Sequence, residues 1–432
     1  MRVQILAILV GGLAAVELLP GAGVRRIAWE DTAPVRSRLA AAGLTAEGFG
    51  TYLETFQALS ARRVREGDFD HLVFYVLQST HFTRLPPIEP ALSAKGFASG
   101  GGVPSAAAGR MTAFLRTIES TDADPRVSYF RALVGGVPLG ERRRLIEREY
   151  ARAMTFLYEQ EFVQRSKVVD LYRTRGLSTD TAVEAGYALH AGLGVLKGLD
   201  PSRRIRRVLI VGPGIDLAPR TGMLEVGPPE SYQPWAVIDA LVSLGLSRLE
   251  DLEVVGGDIN PRVVDHLRAS RQRAPVLRLV SGIGESGSVA FVPGYREYFT
   301  TLGRAVGSVR GGSRVPAGHL SKTVTVSTTA AATLRAEALN IVTERLTGEP
   351  FDLVIATNIL PYFEKADLLL AMSNIASMLA PGAVFLHNDT RPEVQEDAAL
   401  AGLPSEQLRQ VIIANVKGAP ALADTVVLHR RR

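Results

Sequence analysis

Two glycines and an aspartate follow an apolar run in the stretch VLIVGPGID, and these residue types together could hold a nucleotide-like ligand. Gly212 and Gly214 carry no side chain, so the backbone around Pro213 can come close to a ligand at the end of a strand. Many ordinary turns between a strand and a helix also contain two glycines. The stretch therefore indicates a ligand-binding loop only where other residues support it.

The segment EVVGGDINP places a further acid, Asp258, at the carboxyl end of another apolar run. In α/β nucleotide-binding units, an acid at this place accepts hydrogen bonds from ribose hydroxyls. Its neighbour Ile259 is included in the predicted site. The alternative is that Asp258 caps the helix that begins near Pro261. Because Asn260 and Pro261 already form a good helix start, Asp258 remains available for a ligand.

The composition excludes several kinds of site. The chain has no cysteine, which removes disulfides, thiolate metal sites and cysteine nucleophiles. Its seven histidines are scattered without an HExxH motif, so no metal site is predicted. GESGS lacks the last glycine of a nucleophile elbow, and the sequence has no GKS or GKT phosphate loop. The net charge of +5 comes without a basic run interleaved with aromatics, so nucleic-acid binding is not indicated.

The elements that must position these residues change in character near residue 200. Before it the spacing is helical: Ile146, Tyr150, Ala153 and Leu157 lie on one face of a predicted helix, and charged residues fill the opposite face. The stretch Ser93–Ser105 is rich in glycine, alanine and serine, and it predicts a loop.

After residue 200, apolar strands alternate with helices. The strands read RRVLIVG, EVVGGDI, KTVTVS, FDLVIATNI, AVFLHND and DTVVLHRRR, and TLRAEALNIVTERL takes the place of a helix in this alternation. Continuous apolar strands separated by helices predict a largely parallel sheet that is covered on both faces. Residues 282–321 interrupt the pattern, and this glycine-rich segment predicts a lid or a substrate loop.

The order of these segments resembles that of the class I S-adenosylmethionine-dependent methyltransferases. FDLVIATNI with Tyr362–Phe363 is similar to the family's fourth strand. AVFLHND, which follows Pro381–Gly382, is similar to the fifth strand, and DTVVLHRRR is similar to the antiparallel seventh strand. The chemoreceptor glutamate methyltransferases are the most similar group, through FD…N…YF, the segment DIN after the second strand, PPESYQPW and a helical N-terminal domain. The resemblance covers about Arg206 to Arg432.

This resemblance implies an α/β, Rossmann-like seven-stranded methyltransferase sheet with an antiparallel last strand, preceded by an all-helical domain. It implies S-adenosylmethionine as cofactor and methyl transfer to an acceptor that it does not identify, a small molecule or a protein side chain. Asn358 and Tyr362, with Glu364, lie where the acceptor would enter; a turn role for Asn358 and plain packing of Tyr362 are the alternatives. The implied cofactor-binding residues are Gly212, Pro213, Gly214, Asp216, Glu230, Tyr232, Asp258, Ile259 and Asn358.

The first loop departs from the family pattern. Ile210 stands where the family has an acid that often contacts the methionine amino group, and Asp216 replaces the third glycine. We hypothesise that Asp216 or Glu230 takes over this contact. Ala383 replaces the second glycine of the family's PGG turn, and the loop RTGMLEVGPPESYQP is long for its place. Such a loop either covers the cofactor or marks a pocket that has lost it.

The first residues, MRVQILAILVGGLAAVELLPGAG, follow the order of a secretory signal: an arginine, an apolar run, and small residues after a proline. We therefore predict a signal peptide or N-terminal anchor at residues 1–23, with a core or amphipathic helix as the alternative. A helical domain at 24–200 and a methyltransferase-like domain at 201–432 follow. Because S-adenosylmethionine is made in the cytoplasm, an exported chain would lack its donor. The rival interpretation is thus a non-catalytic module that keeps the fold without the cofactor.

Overall fold

A computed structural model of the chain describes residues 23–122, 124–163, 181–217, 229–312, 314–363 and 365–432. The predicted signal or anchor, apart from Gly23, lies outside these ranges. Within the described ranges, none of the helices is both long enough and apolar enough to cross a membrane.

The described helices are α1 (Arg36–Ala41), α2 (Ala46–Gln78), α3 (Thr80–Thr83), α4 (Pro90–Gly100), α5 (Ser105–Glu119), α6 (Pro125–Val134), α7 (Leu139–Tyr158), α8 (Val183–Leu199), α9 (Tyr232–Ser243), α10 (Pro261–Gln272), α11 (Pro293–Thr301), α12 (Thr328–Ala332), α13 (Lys365–Met378) and α14 (Pro392–Leu400). The strands are β1 (Val24–Arg26), β2 (Arg207–Val211), β3 (Glu253–Asp258), β4 (Val276–Val280), β5 (Val289–Phe291), β6 (Gly307–Gly311), β7 (Ser321–Val326), β8 (Leu334–Ala338), β9 (Glu344–Leu346), β10 (Phe351–Ala356), β11 (Leu379–His387), β12 (Ser405–Val416) and β13 (Leu422–Arg430).

The main sheet has eight strands in the order β5-β12-β13-β11-β10-β2-β3-β8. The five strands from β11 to β8 run parallel to one another, whereas β13 is antiparallel to both β11 and β12. Without β5, the seven strands numbered along the chain lie in the order 3-2-1-4-5-7-6. The predicted α/β sheet with an antiparallel last strand is confirmed, and β5 extends it at the β12 edge.

Alternate residues of the central strand β2 enter two different hydrophobic cores. Val208 and Ile210 belong to one cluster of buried residues, and Leu209 and Val211 belong to the other. Successive side chains of a strand point to opposite faces, so the two clusters cover the two faces of the sheet. This explains the uninterrupted apolar run VLIV, because a strand buried on both faces has no polar side.

Helix α2 spans 33 residues and crosses from one core to the other. Phe49 and Leu53, near its start, pack into the cluster that contains α13, whereas Leu72 and Val73, near its end, pack into the cluster that contains α5 to α9. The helix must therefore pass over an edge of the sheet. The helical half shares both cores with the sheet, and the division at residue 200 stays a prediction.

Two sequence-based predictions of secondary structure are wrong, and one helix is confirmed. Ser93–Ser105 is not a loop, because α4 extends to Gly100. Glu89 caps this helix by accepting a hydrogen bond from the amide of Leu92 at 2.6 Å, and the left-handed Gly101 ends it. The predicted face of α7 is confirmed, with its first three apolar residues buried and the fourth half-buried.

The segment TLRAEALNIVTERL forms β8 and β9 rather than a helix. Leu334 and Ala336 are buried while Arg335 and Glu337 remain half-exposed, which is the two-residue period of a strand. Leucine, arginine, alanine and glutamate favour helices in isolation. Pairing with β3 at the sheet edge overrides that local preference.

The interrupting segment 282–321 has its own structure. It contains β5, which pairs with β12, as well as α11 and β6. Together with β4 and β7, β6 forms a separate three-stranded antiparallel sheet. The role of this segment as a lid stays a prediction.

Candidate functional site

A cavity of about 190 Å³ lies at the carboxyl ends of β2, β3, β8 and β10, beneath α2. Ligands of open α/β sheets bind outside the carboxyl ends of the strands. The helical half and the sheet line the cavity together. Its described lining residues are Phe56, Ser60, Arg63, Val64, Gly67, Asp68, His71, Val211, Gly212, Gly214, Ile215, Gly257, Asp258, Ile259, Asn260, Val263, Leu339, Asn340, Ile341, Ile359, Tyr362 and Phe363.

Both glycines of the predicted ligand-binding loop line this cavity. Gly212 has a φ of 67° and Gly214 a φ of 70°, which is a left-handed conformation that other residues rarely adopt. A Cβ atom at Gly212 would lie 2.6 Å from Cγ2 of Ile359, whereas one at Gly214 would meet no atom within 4 Å. The loop therefore leaves bare backbone where a ligand can approach. Pro213, between the glycines, is buried and is not among the described lining residues.

Asp258 ends β3, and only 7% of it is exposed. Its Oδ1 accepts a hydrogen bond from the amide of Asn260 at 2.8 Å, and its Oδ2 accepts one from the amide of Gly214 at 3.3 Å. Burial raises the pKa of Asp258 to about 6, and the nearby charge of Asp68 adds to this, while the amide donors oppose it. As predicted, Asn260 caps α10, since its Oδ1 accepts from the amide of Arg262 at 3.0 Å.

Asp68 of α2 ties the helical half to the sheet beside the cavity. It is 3% exposed, and its carboxylate accepts hydrogen bonds from Tyr129 Oη at 2.5 Å, Arg262 Nη1 at 2.5 Å and Asn260 Nδ2 at 3.1 Å. These three donors offset the cost of burying the carboxylate. One turn further along α2, burial lowers the pKa of His71 to about 4, so this imidazole is neutral at neutral pH.

Arg63 of α2 faces the loop that follows β10. Its Nη2 donates to the carbonyl oxygen of Tyr362 at 3.1 Å, and its guanidinium carbon lies 5.7 Å from the centre of the Tyr362 ring and 5.9 Å from that of Phe56. Burial lowers the pKa of Arg63, but a guanidinium keeps its charge in proteins. Tyr362, which the sequence places at the acceptor end, is thus on the cavity wall and in contact with α2.

Asp216, Glu230 and Tyr232 are not among the described residues that line the cavity. The backbones of Asp216 and Glu230 pair through two hydrogen bonds of 2.6 and 2.9 Å. The Asp216 carboxylate accepts from the amide of Thr181 and, at 3.1 Å, from that of Tyr232, while Glu230 Oε1 accepts from the amide of Arg278 at 2.7 Å. Their roles as cofactor ligands, including replacement of the missing acid, stay predictions.

Asn358 follows β10 in a left-handed conformation with a φ of 60°, and its side chain is exposed. It exchanges two hydrogen bonds with the side chain of Asn388, which follows β11. Asn358 itself is not among the described lining residues, but the next residue, Ile359, is. Glu364 lies outside the described residues.

Sequence reasoning missed the contribution of α2 and of the loop after β8. Phe56, Ser60, Arg63 and Gly67 recur at helical spacing and all line the cavity. Asn340 after β8 meets this face, since its Nδ2 donates to Ser60 Oγ at 3.0 Å. The available signal was a helical face that mixes charged and small residues with apolar ones, which is unusual for a face that only packs.

No family model and no curated protein matches the chain. The N-methyltransferase NodS from Bradyrhizobium japonicum WM9 shares 14% identity, over 57% of this chain and 96% of its own, with a TM-score of 0.29. A TehB-like SAM-dependent methyltransferase from Corynebacterium glutamicum shares 11%, over 64% and 98%, with a TM-score of 0.29. Magnesium protoporphyrin IX methyltransferase from Synechocystis PCC 6803, with bound SAM, shares 10%, over 72% and 100%, with a TM-score of 0.29.

Similarities of this size carry no argument about activity, and the likeness to the chemoreceptor enzymes stays a prediction. The fold rests on the chain's own topology instead. The strand order, the antiparallel β13 and the glycine loop after β2 all agree with the resemblance found in the sequence. The chain therefore has the fold of the class I S-adenosylmethionine-dependent methyltransferases.

Proposed function

We propose that this protein transfers a methyl group from S-adenosylmethionine to an acceptor, which is a small molecule or a protein side chain. One observation carries the proposal. The bare glycine loop after β2 and the buried carboxylate of Asp258 after β3 line the same cavity, at the edge of the sheet where a nucleoside would bind.

The residues around Asp258 fit the adenosine part of this cofactor. The contact of its Oδ2 with the amide of Gly214 is long, at 3.3 Å, and a carboxylate has capacity for further donors, so a ribose hydroxyl can be accepted there. Leu339, Ile341 and Val263 supply an apolar wall of the kind that a purine ring needs.

When bound, the cofactor supplies an electrophilic methyl group on a sulfonium. The chain's task is to hold this group and the acceptor in line and to exclude water, for which about 7–11 kcal/mol is available in favourable cases. A carboxylate acceptor needs no base, whereas a hydroxyl or amine acceptor must lose a proton, and a general base assists that step. Helix α2 closes the cavity on one side, and Tyr362 and Ile359 form the wall at the end of β10.

Calorimetric titration of the full chain with S-adenosylmethionine and S-adenosylhomocysteine tests this proposal. We expect micromolar binding of both, no binding of NADH, and a loss of affinity of at least about tenfold in Asp258→Asn, since a neutral amide is a weaker acceptor for hydroxyl donors. Asp251→Asn is the matched control, because this acid is exposed and lies near the opposite end of β3.

A well-folded sample that binds neither compound would overturn the proposal and leave a methyltransferase fold without its cofactor. Equal affinities in the wild type and in Asp258→Asn would show that the ligand binds somewhere other than this cavity.

A further inference from the structure

Three polar side chains form a relay along the carboxyl edge of the sheet, on the side of β10 that faces β11 and β13. Asn358 follows β10, Asn388 follows β11, and Asp424 lies near the start of β13. The strand order brings them together, since β13 is inserted beside β11. Nothing in the proposed function so far uses Asn388 or Asp424.

The hydrogen bonds of the relay engage both ends of the Asn388 amide. Its Oδ1 accepts from the backbone N–H of Asn358 at 3.0 Å, and its Nδ2 donates to Oδ1 of Asn358 at 2.8 Å. Burial raises the pKa of Asp424, and hydrogen bonding from the amide of Thr425 and from the Asn388 side chain opposes this. The carboxylate of Asp424 is held in turn by the amide of Thr425, which donates to Oδ1 at 2.7 Å.

These partners leave one orientation for each amide. A backbone N–H can only donate and an ionised carboxylate can only accept, so Asn388 must turn its oxygen to Asn358 N–H and its nitrogen to Asp424. The second N–H of Asn388 then requires an acceptor, which is Oδ1 of Asn358. Asn358 therefore turns its oxygen inward, towards Asn388, and its Nδ2 outward, away from it. This assignment follows from the donors and acceptors of the hydrogen-bond network.

The backbone of Asn358 supports a role in binding. A left-handed φ is uncommon outside glycine, although asparagine tolerates it best, and such residues cluster at functional sites. The residue is exposed, and no atom in the described part of the chain accepts a hydrogen bond from its Nδ2. Its neighbours Ile359 and Tyr362 line the cavity, so Asn358 belongs to the loop that borders the proposed acceptor end of the site.

We propose that Asn358 binds an oxygen of the methyl acceptor that accepts hydrogen bonds and donates none, such as a carbonyl or an acidic oxygen. Asn388 and Asp424 are positioning residues that set the polarity of Asn358. The relay selects against an acceptor that presents only N–H groups at this point, since an ammonium and an outward amide N–H₂ are both donors. This inference rests on the proposed function for its assignment of the ligand.

Exchanging the two outer members of the relay tests it. In the double variant Asn388→Asp, Asp424→Asn, the charge and side-chain volumes are kept, but residue 424 now donates and residue 388 only accepts. Asn358 must then donate inward with its Nδ2 and turn its oxygen outward. The exchange variant therefore keeps the composition of the site and inverts the polarity of Asn358.

Acetate and methylammonium are the probes, and the readout at pH 8 is the NMR shift of the Asn358 side-chain amide and of the Ile359 backbone amide. Asn358→Asp assigns the side-chain signal by removing it. For the wild type we expect a saturable shift with acetate and none with methylammonium, and for the exchange variant the reverse. A wild type that responds to methylammonium, or to neither probe, would overturn the inference, as would an exchange variant that still responds to acetate.

Where the exchange variant does not fold, Asn358→Asp alone replaces it, because its outward oxygen is also an acceptor. We expect its Ile359 amide to respond to methylammonium and not to acetate, and the wild-type pattern would contradict this. Titration with S-adenosylhomocysteine separates the two proposals. If the protein binds S-adenosylhomocysteine but does not prefer acetate over methylammonium, only the role of the relay is contradicted. If it prefers acetate but does not bind S-adenosylhomocysteine, only the methyltransferase proposal is contradicted.

Discussion

Asp258 and Asp216 are both buried acids at the carboxyl edge of the sheet, and both accept hydrogen bonds from backbone amides, yet their surroundings differ. Asp216 is enclosed by the amides of Thr181 and Tyr232 and by its backbone pairing with Glu230. Asp258 has two amide contacts as well, but it also lines a cavity. Burial and hydrogen bonding alone therefore do not distinguish a ligand-binding acid from one that organises a loop.

The difference follows from the glycine loop, which donates to Asp258 through the amide of Gly214 and leads into Asp216 two residues later. At Gly214 the backbone stays bare on the cavity side, so space remains in front of Asp258. Two residues later, the backbone of Asp216 pairs with that of Glu230, and the amides of Thr181 and Tyr232 donate to its carboxylate. The sharpest tests act on this loop and on each acid separately.

The largest effect is expected from Gly214→Ala, compared with Gly245→Ala. Both glycines have a positive φ, 70° and 63°, and a Cβ atom meets nothing within 4 Å at either, so both variants should lose about 1–2 kcal/mol of unfolding free energy. Only Gly214 lines the cavity, so only its methyl group should block the cofactor. We expect at least a hundredfold loss of S-adenosylhomocysteine affinity, about 3 kcal/mol, for Gly214→Ala alone.

Calorimetry and thermal unfolding on the same two samples provide the measurement. Equal affinity losses in both variants would mean that backbone strain, and not the cavity, controls binding.

The next effect is on stability, from Asp216→Ala. Two backbone amides would lose a buried charged acceptor, so we expect the free energy of unfolding to fall by about 2–3 kcal/mol. Denaturant unfolding measures it, with Asp251→Ala as a control at an exposed acid, where the change should stay within about 0.5 kcal/mol. A stable Asp216→Ala protein with lost cofactor affinity would instead support the sequence-based hypothesis that Asp216 replaces the missing acid.

The sequence predicts the sheet well because β2, β3 and β10 are buried on both faces and read as uninterrupted apolar runs. It also places Gly212, Gly214 and Asp258 at one edge, since the carboxyl ends of parallel strands meet there. The strand β8 escaped detection because residues such as those of LRAEA favour a helix, and only its pairing with β3 decides the outcome.

The covering helix could not be predicted for a different reason. Asp68 and Arg262 are 194 residues apart in the chain, and Arg63 and Tyr362 are 299 apart. No local pattern encodes such pairs, and the charged residues on α2 look like a solvated face until their partners are known. The sequence thus identifies the strand ends that line the cavity, but it does not identify α2 as the helix that covers them.

The smallest effect sharpens the comparison at Asp258 itself. Burial raises its pKa from 3.8 to about 6, so the folded state binds this proton more tightly than the unfolded chain does. This favours folding below about pH 4, and the advantage is lost as the pH rises towards 6, so the ionised carboxylate destabilises the apo protein above that pH. Asp258→Asn mimics the neutral acid and should raise the free energy of unfolding at pH 8 by about 1–2 kcal/mol, since one amide oxygen must serve two donors.

Denaturant unfolding of both proteins at pH 4.5 and pH 8 measures this, and the difference between them should shrink at the lower pH. The stabilities of the two proteins are compared at each pH because burial also raises the pKa of Asp397 to about 6. This second acid also makes the stability of the wild type fall as the pH rises, and taking the difference between the two proteins removes its effect. A variant that gains stability while losing the cofactor would identify Asp258 as an acid kept for binding at the expense of the fold. A variant that is destabilised at pH 8 would place it with Asp216, as an acid that organises its loop.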